Sequence, residues 1–261
     1  FHPLTWEELF EVAQKLTKRN EEGEIVREGF DFVWDIGPHW YAQQYWGIMR
    51  QFGARVLNEE GTESVINSPE AVKAFKIWRD LVHKYEVGGP NVGTKNPVNA
   101  LQDFSDGNQS ICSAGIWAPP SFEYNPDVYD NLAAIPFPQK NPEDPHTVLY
   151  AYALAVNSNS NVQKESWDFI NFVTSKSQEW LKRAGYITGR KGSLDTEFAK
   201  KQPFVQTFKE DLKHGSYEFR SPRWTEIGKI IGNAIERIGM EGMPVKESLD
   251  KAKKQIDEVL D

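Results

Sequence analysis

The side chains best placed to do chemistry in this sequence are aromatic. They fall where extended runs give way to loops: Trp34 through Tyr41, Trp117 in the stretch AGIWAPP, and Tyr150 with Tyr152. A ring offers a flat apolar face that packs on the C–H face of a sugar, while neighbouring Asp, Asn, Gln or Arg groups serve its hydroxyls. Aromatic platforms with a few polar groups therefore suit a neutral polyhydroxylated ligand. Composition by itself favours the blander use of such rings, in a core or an interface. Reactive chemistry finds less support, for the chain has no G-x-S-x-G elbow, no H-E-x-x-H, no Walker A sequence and no G-x-G-x-x-G. His2, His39, His83, His146 and His214 are scattered without ligand-like spacing, and the single cysteine, Cys112, leaves no internal disulfide and no cysteine-based zinc cluster. No metal or cofactor is expected. Most carboxylates lie on helix faces as solvated charge. A glycosidase needs two of them across a cleft, a separation no sequence displays, so a carbohydrate-active enzyme stays as the rival to a binding protein, with a non-catalytic interaction domain as the third reading.

These residues must be held by a chain of 261 residues, enough for one large domain or two ordinary ones. The net charge of -8 argues against a nucleic-acid partner, which would need a basic face. No apolar run approaches the roughly 18 residues of a membrane span. The chain opens at Phe1-His2-Pro3 without methionine, so a preceding segment is expected to have been removed.

Local signals outline the elements. Thr5 with Glu8 three residues later reads as a capping box, and Trp6, Leu9, Ala13 and Leu16 share one helical face. Gly29 to Trp34 reads as a strand leading into the loop Asp35 to Tyr41. Ser68-Pro69 starts a helix whose positions Ala71, Phe75, Trp78, Val82 and Tyr85 share a face. A short helix over 99–106 precedes the strand that ends near Trp117. Further strands are expected over 131–135 and 147–156. Beyond Ser158 the pattern is helical: Val162 to Val173, Ser177 to Ala184 closed by Gly185 in a left-handed C-cap, one from Pro203, and two more ending the chain. Strands separated by helices indicate an α/β or α+β fold. Trp6, Trp46, Trp78, Trp167 and Trp180 sit in helical patterns and are assigned to packing. Trp34 fits either use, and Arg190 with Lys191 reads as a solvated loop.

Four stretches, in one order, carry a resemblance: PLTWEEL from Pro3, INSPEAVKAFKIWRDLV from Ile66, FSDGNQSICSAGIW from Phe104 and LAVNSNSNVQKESWDFINFV from Leu154. Together they resemble the extracytoplasmic solute-binding proteins, family 1, the maltose-binding-protein-like sugar-binding components of ABC importers. The resemblance implies a periplasmic-binding-protein-like type II α/β fold, present here mainly as its C-terminal lobe and lacking the N-terminal lobe. Residues 1–157 would form the sheet and helices of that lobe, 158–192 would pack on the missing lobe, and 193–261 would return as C-terminal helices. It further implies a carbohydrate ligand bound in an aromatic-lined interlobe cleft, ABC transporter permease subunits as partners, a monomer, and a location outside the cytoplasm, in the periplasm or lipid-anchored at the cell surface. Trp117 matches the family's sugar-stacking Trp of Gly-x-Trp. Asp35, His39, Trp40 and Tyr41 stand where relatives offer an acid and an aromatic. Tyr150 and Tyr152 replace a Gly-Gly usual in relatives, and Trp224 resembles a late aromatic. Relatives of this fold also carry polyamines, which makes a cationic solute the alternative ligand.

Overall fold

Thr5 begins the first helix as its neighbours dictate: its Oγ1 accepts from Glu8 N at 3.2 Å while Glu8 Oε2 accepts from Thr5 N at 3.1 Å, closing a capping box. The structure, a computed structural model, describes residues 4–34, 37–89 and 97–261, apart from the side chains of residues 39, 97–100 and 203. In chain order it contains α1 (Trp6–Leu16), β1 (Lys18–Arg19), β2 (Ile25–Asp31), α2 (Pro38–Gln51), α3 (Pro69–His83), α4 (Pro97–Ser105) and β3 (Gln109–Cys112). A 3-10 turn at Pro119–Phe122 and α5 (Pro126–Tyr129) precede β4 (Thr147–Val148), followed by α6 (Gln163–Ser175), α7 (Ser177–Ala184), α8 (Glu197–Lys201) and α9 (Pro203–Asp211). Then come β5 (Gly215–Ser216), α10 (Trp224–Gly239) and α11 (Val245–Leu260). The chain divides into two units: Phe1–Ser113, Pro136–Leu149 and His214–Asp261 form the first, Ala114–Ile135 and Tyr150–Lys213 the second.

In the first unit, β2 pairs antiparallel with β1 and parallel with β3, with Phe30 opposite Ile111. A two-stranded parallel sheet joins β4 to β5. Helices bury one stripe each, at the spacing that puts such positions on one face: Trp6, Leu9, Phe10 and Ala13 on α1; Ala71, Phe75, Trp78 and Leu81 on α3; Ile227, Ile231, Ala234 and Ile238 on α10. Trp78 stacks on Phe32 with ring centroids 5.1 Å apart. Gly232 lets α10 approach α2 closely, since a Cβ there would come 2.6 Å from the Tyr41 ring. Trp34 is core: its indole lies over Gly239, and its Nε1–H donates to both oxygens of buried Asp31 at 3.0 Å. That hydrogen bonding is what allows an acid inside. Cys112 ends β3. The residue is only partly covered, yet its thiol is desolvated enough for the pKa to be pushed up to about 12.

In the second unit, Gly185 closes α7 in the left-handed conformation at φ 66°, as its place after Ala184 predicts. A small core of Leu181, Leu194, Ala199, Phe204 and Val205 ties α7, α8 and α9 together. One expected strand does not form among the described residues, and another is cut short. Residues 131–135 run as coil, with the Ala134 carbonyl accepting from Thr207 Oγ1 at 3.2 Å instead of joining a ladder. The strand expected over 147–156 shrinks to Thr147–Val148, because its partner β5 is only two residues long. Two packing assignments also change, since Trp167 and Trp180 are 54% and 37% exposed. Nothing on α6 is buried. Arg190 does not simply solvate its loop: it donates to the Asn171 carbonyl and to Thr174 Oγ1, both at 2.9 Å, capping the end of α6.

Candidate ligand-binding site

The expected site residues fall into two groups, one in each unit. In the first unit, Ser221-Pro222 makes the turn that starts α10: Ser221 Oγ accepts from Arg223 N at 3.1 Å, and the Ser221 carbonyl accepts from Trp224 N at 3.1 Å. Trp224 is thereby set at the first position of the helix. Its indole Nε1–H donates to Glu218 Oε2 at 2.6 Å. Both side chains line a concavity of about 550 Å³ together with Tyr217, Phe219, Arg220 and Ser221. Partial burial raises the Glu218 carboxyl above the usual carboxylate range, and the indole hydrogen bond opposes that rise. The strand leading into this turn is anchored by Trp46, whose Nε1–H donates to Ser216 Oγ at 3.0 Å and whose ring lies 6.2 Å from that of Phe219.

Of the four residues expected at the junction after β2, the structure describes the side chains of Trp40 and Tyr41. Asp35 lies outside the described residues, as does the side chain of His39. Trp40 is half-buried on α2. Tyr41, one residue on, turns into the core, where its ring packs on Gly232 and its hydroxyl donates to Glu236 Oε1 at 2.6 Å. A ring so enclosed has no face left for a solute.

In the second unit the structure assembles a row of rings. Tyr150 and Tyr152 meet edge to face at 5.2 Å, Tyr152 lies 5.9 Å from Tyr186, and Tyr186 lies 6.3 Å from Trp180. Trp180 is oriented by an Nε1–H bond of 2.8 Å to the Val173 carbonyl. Trp117 reaches the same neighbourhood through its backbone. A Cβ on Gly185, the residue before Tyr186, would come within 2.6 Å of Trp117 Cα and 2.3 Å of the Ile116 carbonyl oxygen. The Trp117 indole folds back over Gly115, where a Cβ would meet Nε1 at 2.5 Å. The two glycines explain why this Trp needs Gly two residues before it and packs beside a helix C-cap. The ring itself is half-buried.

Sequence reading missed Glu218, Tyr217 and Tyr186. The alternation Tyr217-Glu218-Phe219-Arg220 ahead of a helix start was a signal for the first two. Tyr186 had only its place after a capping glycine.

Set beside known proteins, the chain falls into a class defined by family and fold. The family described as bacterial extracellular solute-binding protein matches residues 2–180, and the chain belongs to it. Among solved structures, maltose-bound MalE3 of T. maritima is similar with a TM-score of 0.83 at 22% identity, covering 99% of this chain and 66% of its own. An ABC transporter solute-binding protein of Thermotoga lettingae, bound with alpha-D-tagatose, gives 0.84 at 21% identity, with 99% and 65% covered. UgpB from Mycobacterium tuberculosis, in complex with glycerophosphocholine, gives 0.80 at 17% identity, with 99% and 64% covered. At these identities the likeness is one of fold, the α/β fold of periplasmic binding proteins. The chain spans about two thirds of the length of these relatives.

Proposed function

We propose that this chain is part of the substrate-binding component of an ABC importer, which takes a sugar or oligosaccharide outside the cytoplasm and hands it to membrane permease subunits. The observation that carries the reading is the row Tyr150, Tyr152, Tyr186 and Trp180, four neighbouring rings each more than a third exposed. Grouped rings left at a surface gain little from core packing, whereas their apolar faces and polar tips match the alternating C–H and O–H surface of a sugar. In this reading the ligand-contacting residues of the second unit are Trp117, Tyr150, Tyr152 and Tyr186, and those of the first unit are Trp224, Asp35, His39 and Trp40. Maltose, tagatose and glycerophosphocholine, bound by the relatives, are all rich in hydroxyl or polar oxygen groups, which supports a polyhydroxylated ligand.

The extra length of the relatives has a counterpart on this chain. Trp167, Phe169 and Phe172 on α6 are 54%, 63% and 58% exposed, more apolar surface than a finished helix leaves bare. In this reading residues 158–192 pack on the N-terminal lobe that the relatives' additional third supplies, the complete protein is a monomer, and it acts without catalysis. Calorimetric titration of this chain and of a longer form bearing that lobe, with maltose, alpha-D-tagatose, glycerophosphocholine and spermidine, tests the reading. Binding of a sugar by the longer form is expected, and weaker binding by this chain. Binding of spermidine alone, or release of new reducing ends from a maltodextrin, would overturn it.

A further inference from the structure

We propose that Glu218 positions the Trp224 indole for the ligand, so that affinity follows the charge of this one carboxylate. The consequence rests on the sugar-binding reading; the geometry does not. An indole has a single N–H, and that of Trp224 is committed to Glu218 Oε2 at 2.6 Å, on the wall of the 550 Å³ concavity that the two share with Tyr217, Phe219 and Arg220. The acceptor is itself held. The chain just before it is fixed to β4, where Leu149 N donates to the Ser216 carbonyl at 2.9 Å, and to α2 through Trp46 and Ser216. A platform fixed before the ligand arrives loses little rotamer freedom on binding. Removing the acceptor lets the ring rotate and returns that cost.

The proton matters because the bond is charge-assisted. Loss of surrounding water raises the Glu218 carboxyl above its ordinary range, while the indole opposes the rise. From α2, Tyr45 faces it: burial, and secondarily the Glu218 charge, push that phenol up, so it stays neutral. Its hydroxyl is buried without a hydrogen-bond partner among the described residues. Arg220 and Tyr217 line the same concavity, and Arg223 at the head of α10 is engaged with Glu226 at 3.5 Å. As pH falls through the raised value, Glu218 gains a proton and a charged acceptor becomes a neutral one roughly half as strong. The grip on Trp224 loosens, and affinity falls with it.

The test has two arms. In the 15N-labelled chain, the Trp224 indole N–H resonance is the one lost in Trp224→Phe. It should move with pH through one transition lying above the ordinary 4.5 of a glutamate, and it should stand still in Glu218→Gln, which keeps an acceptor oxygen but has no proton to gain. In the second arm, maltose is titrated calorimetrically on the two sides of the transition that the first arm locates. The unaltered chain should bind severalfold more weakly at the lower pH, Glu218→Gln equally at both, and Glu218→Ala about tenfold more weakly than the unaltered chain at the higher pH, with thermal melts establishing that each variant folds. A Trp224 resonance indifferent to pH, or one that titrates alike in Glu218→Gln, overturns the proposal, as does unchanged affinity in a folded Glu218→Ala. If maltose fails to bind the unaltered chain, the sugar reading is decided by the longer form, and the indole titration alone decides whether Glu218 holds the ring.

Discussion

Two aromatic residues separate packing from recognition. Trp78 is fully buried against Phe32 and Phe75, so Trp78→Ala should cost about 3 to 5 kcal/mol of folding stability in a urea melt. Tyr152 is 70% exposed within the row of rings. Tyr152→Ala should therefore move stability by less than about 0.5 kcal/mol yet weaken sugar binding by roughly 1 to 3 kcal/mol, about 5- to 150-fold in Kd. Equal loss of stability in the two would return Tyr152 to the core. Gly185 makes a third case. Its φ of 66° and its approach to the Ile116 carbonyl leave no room for a methyl group, so Gly185→Ala should destabilise by more than about 1 kcal/mol. Because the backbone displaced is that of Trp117, circular dichroism in the aromatic region should change with it.

Among the elements, α6 presents the sharpest contrast between what a helix exposes here and what it would cover in a longer protein. Trp167→Glu should be nearly neutral in this chain, where Trp167 is 54% exposed, and should cost about 2 kcal/mol or more in a form that carries the additional lobe, where an apolar side chain would give up its contacts. Paired thermal melts of the two forms read this directly, and identical effects would mean that α6 faces water in both. The helices were the legible part of the sequence, because their signals are local: Thr5 with Glu8, Ser68 with Pro69 and Gly185 after Ala184 each lie within one turn of the boundary they mark. Strands were less so. A run such as 131–135 has the right residues, but a strand exists only if another segment pairs with it, and here Thr207 takes the carbonyl a neighbour would have used. The candidate site was legible in kind and not in detail. Trp40 and Tyr41 are adjacent and alike, and only the packing of α10 through Gly232 sends Tyr41 inward. The meeting of Tyr152 with Tyr186, and of Trp224 with Glu218 across a turn, depends on loop paths that no periodicity records.

At the scale of the whole molecule, the chain spans about two thirds of its relatives' length, and a concave site binds a small ligand by covering most of its surface. A sugar bound by the longer form should raise that form's stability by about 2.7 kcal/mol at a hundredfold excess over Kd, while the same concentration should shift the melt of this chain far less. Equal shifts would mean that the surfaces described above suffice for binding. One buried atom makes such measurements simpler. Burial pushes the Cys112 thiol up to about 12, so little of it is thiolate at pH 7, and the thiolate is the form that reacts. Since Cys112 is the sole cysteine, the native chain should react slowly with maleimides. A single cysteine introduced beside Tyr217 or Tyr152 would therefore take a fluorophore alone, turning the protein into an optical reporter of its own ligand without any native thiol having to be removed first.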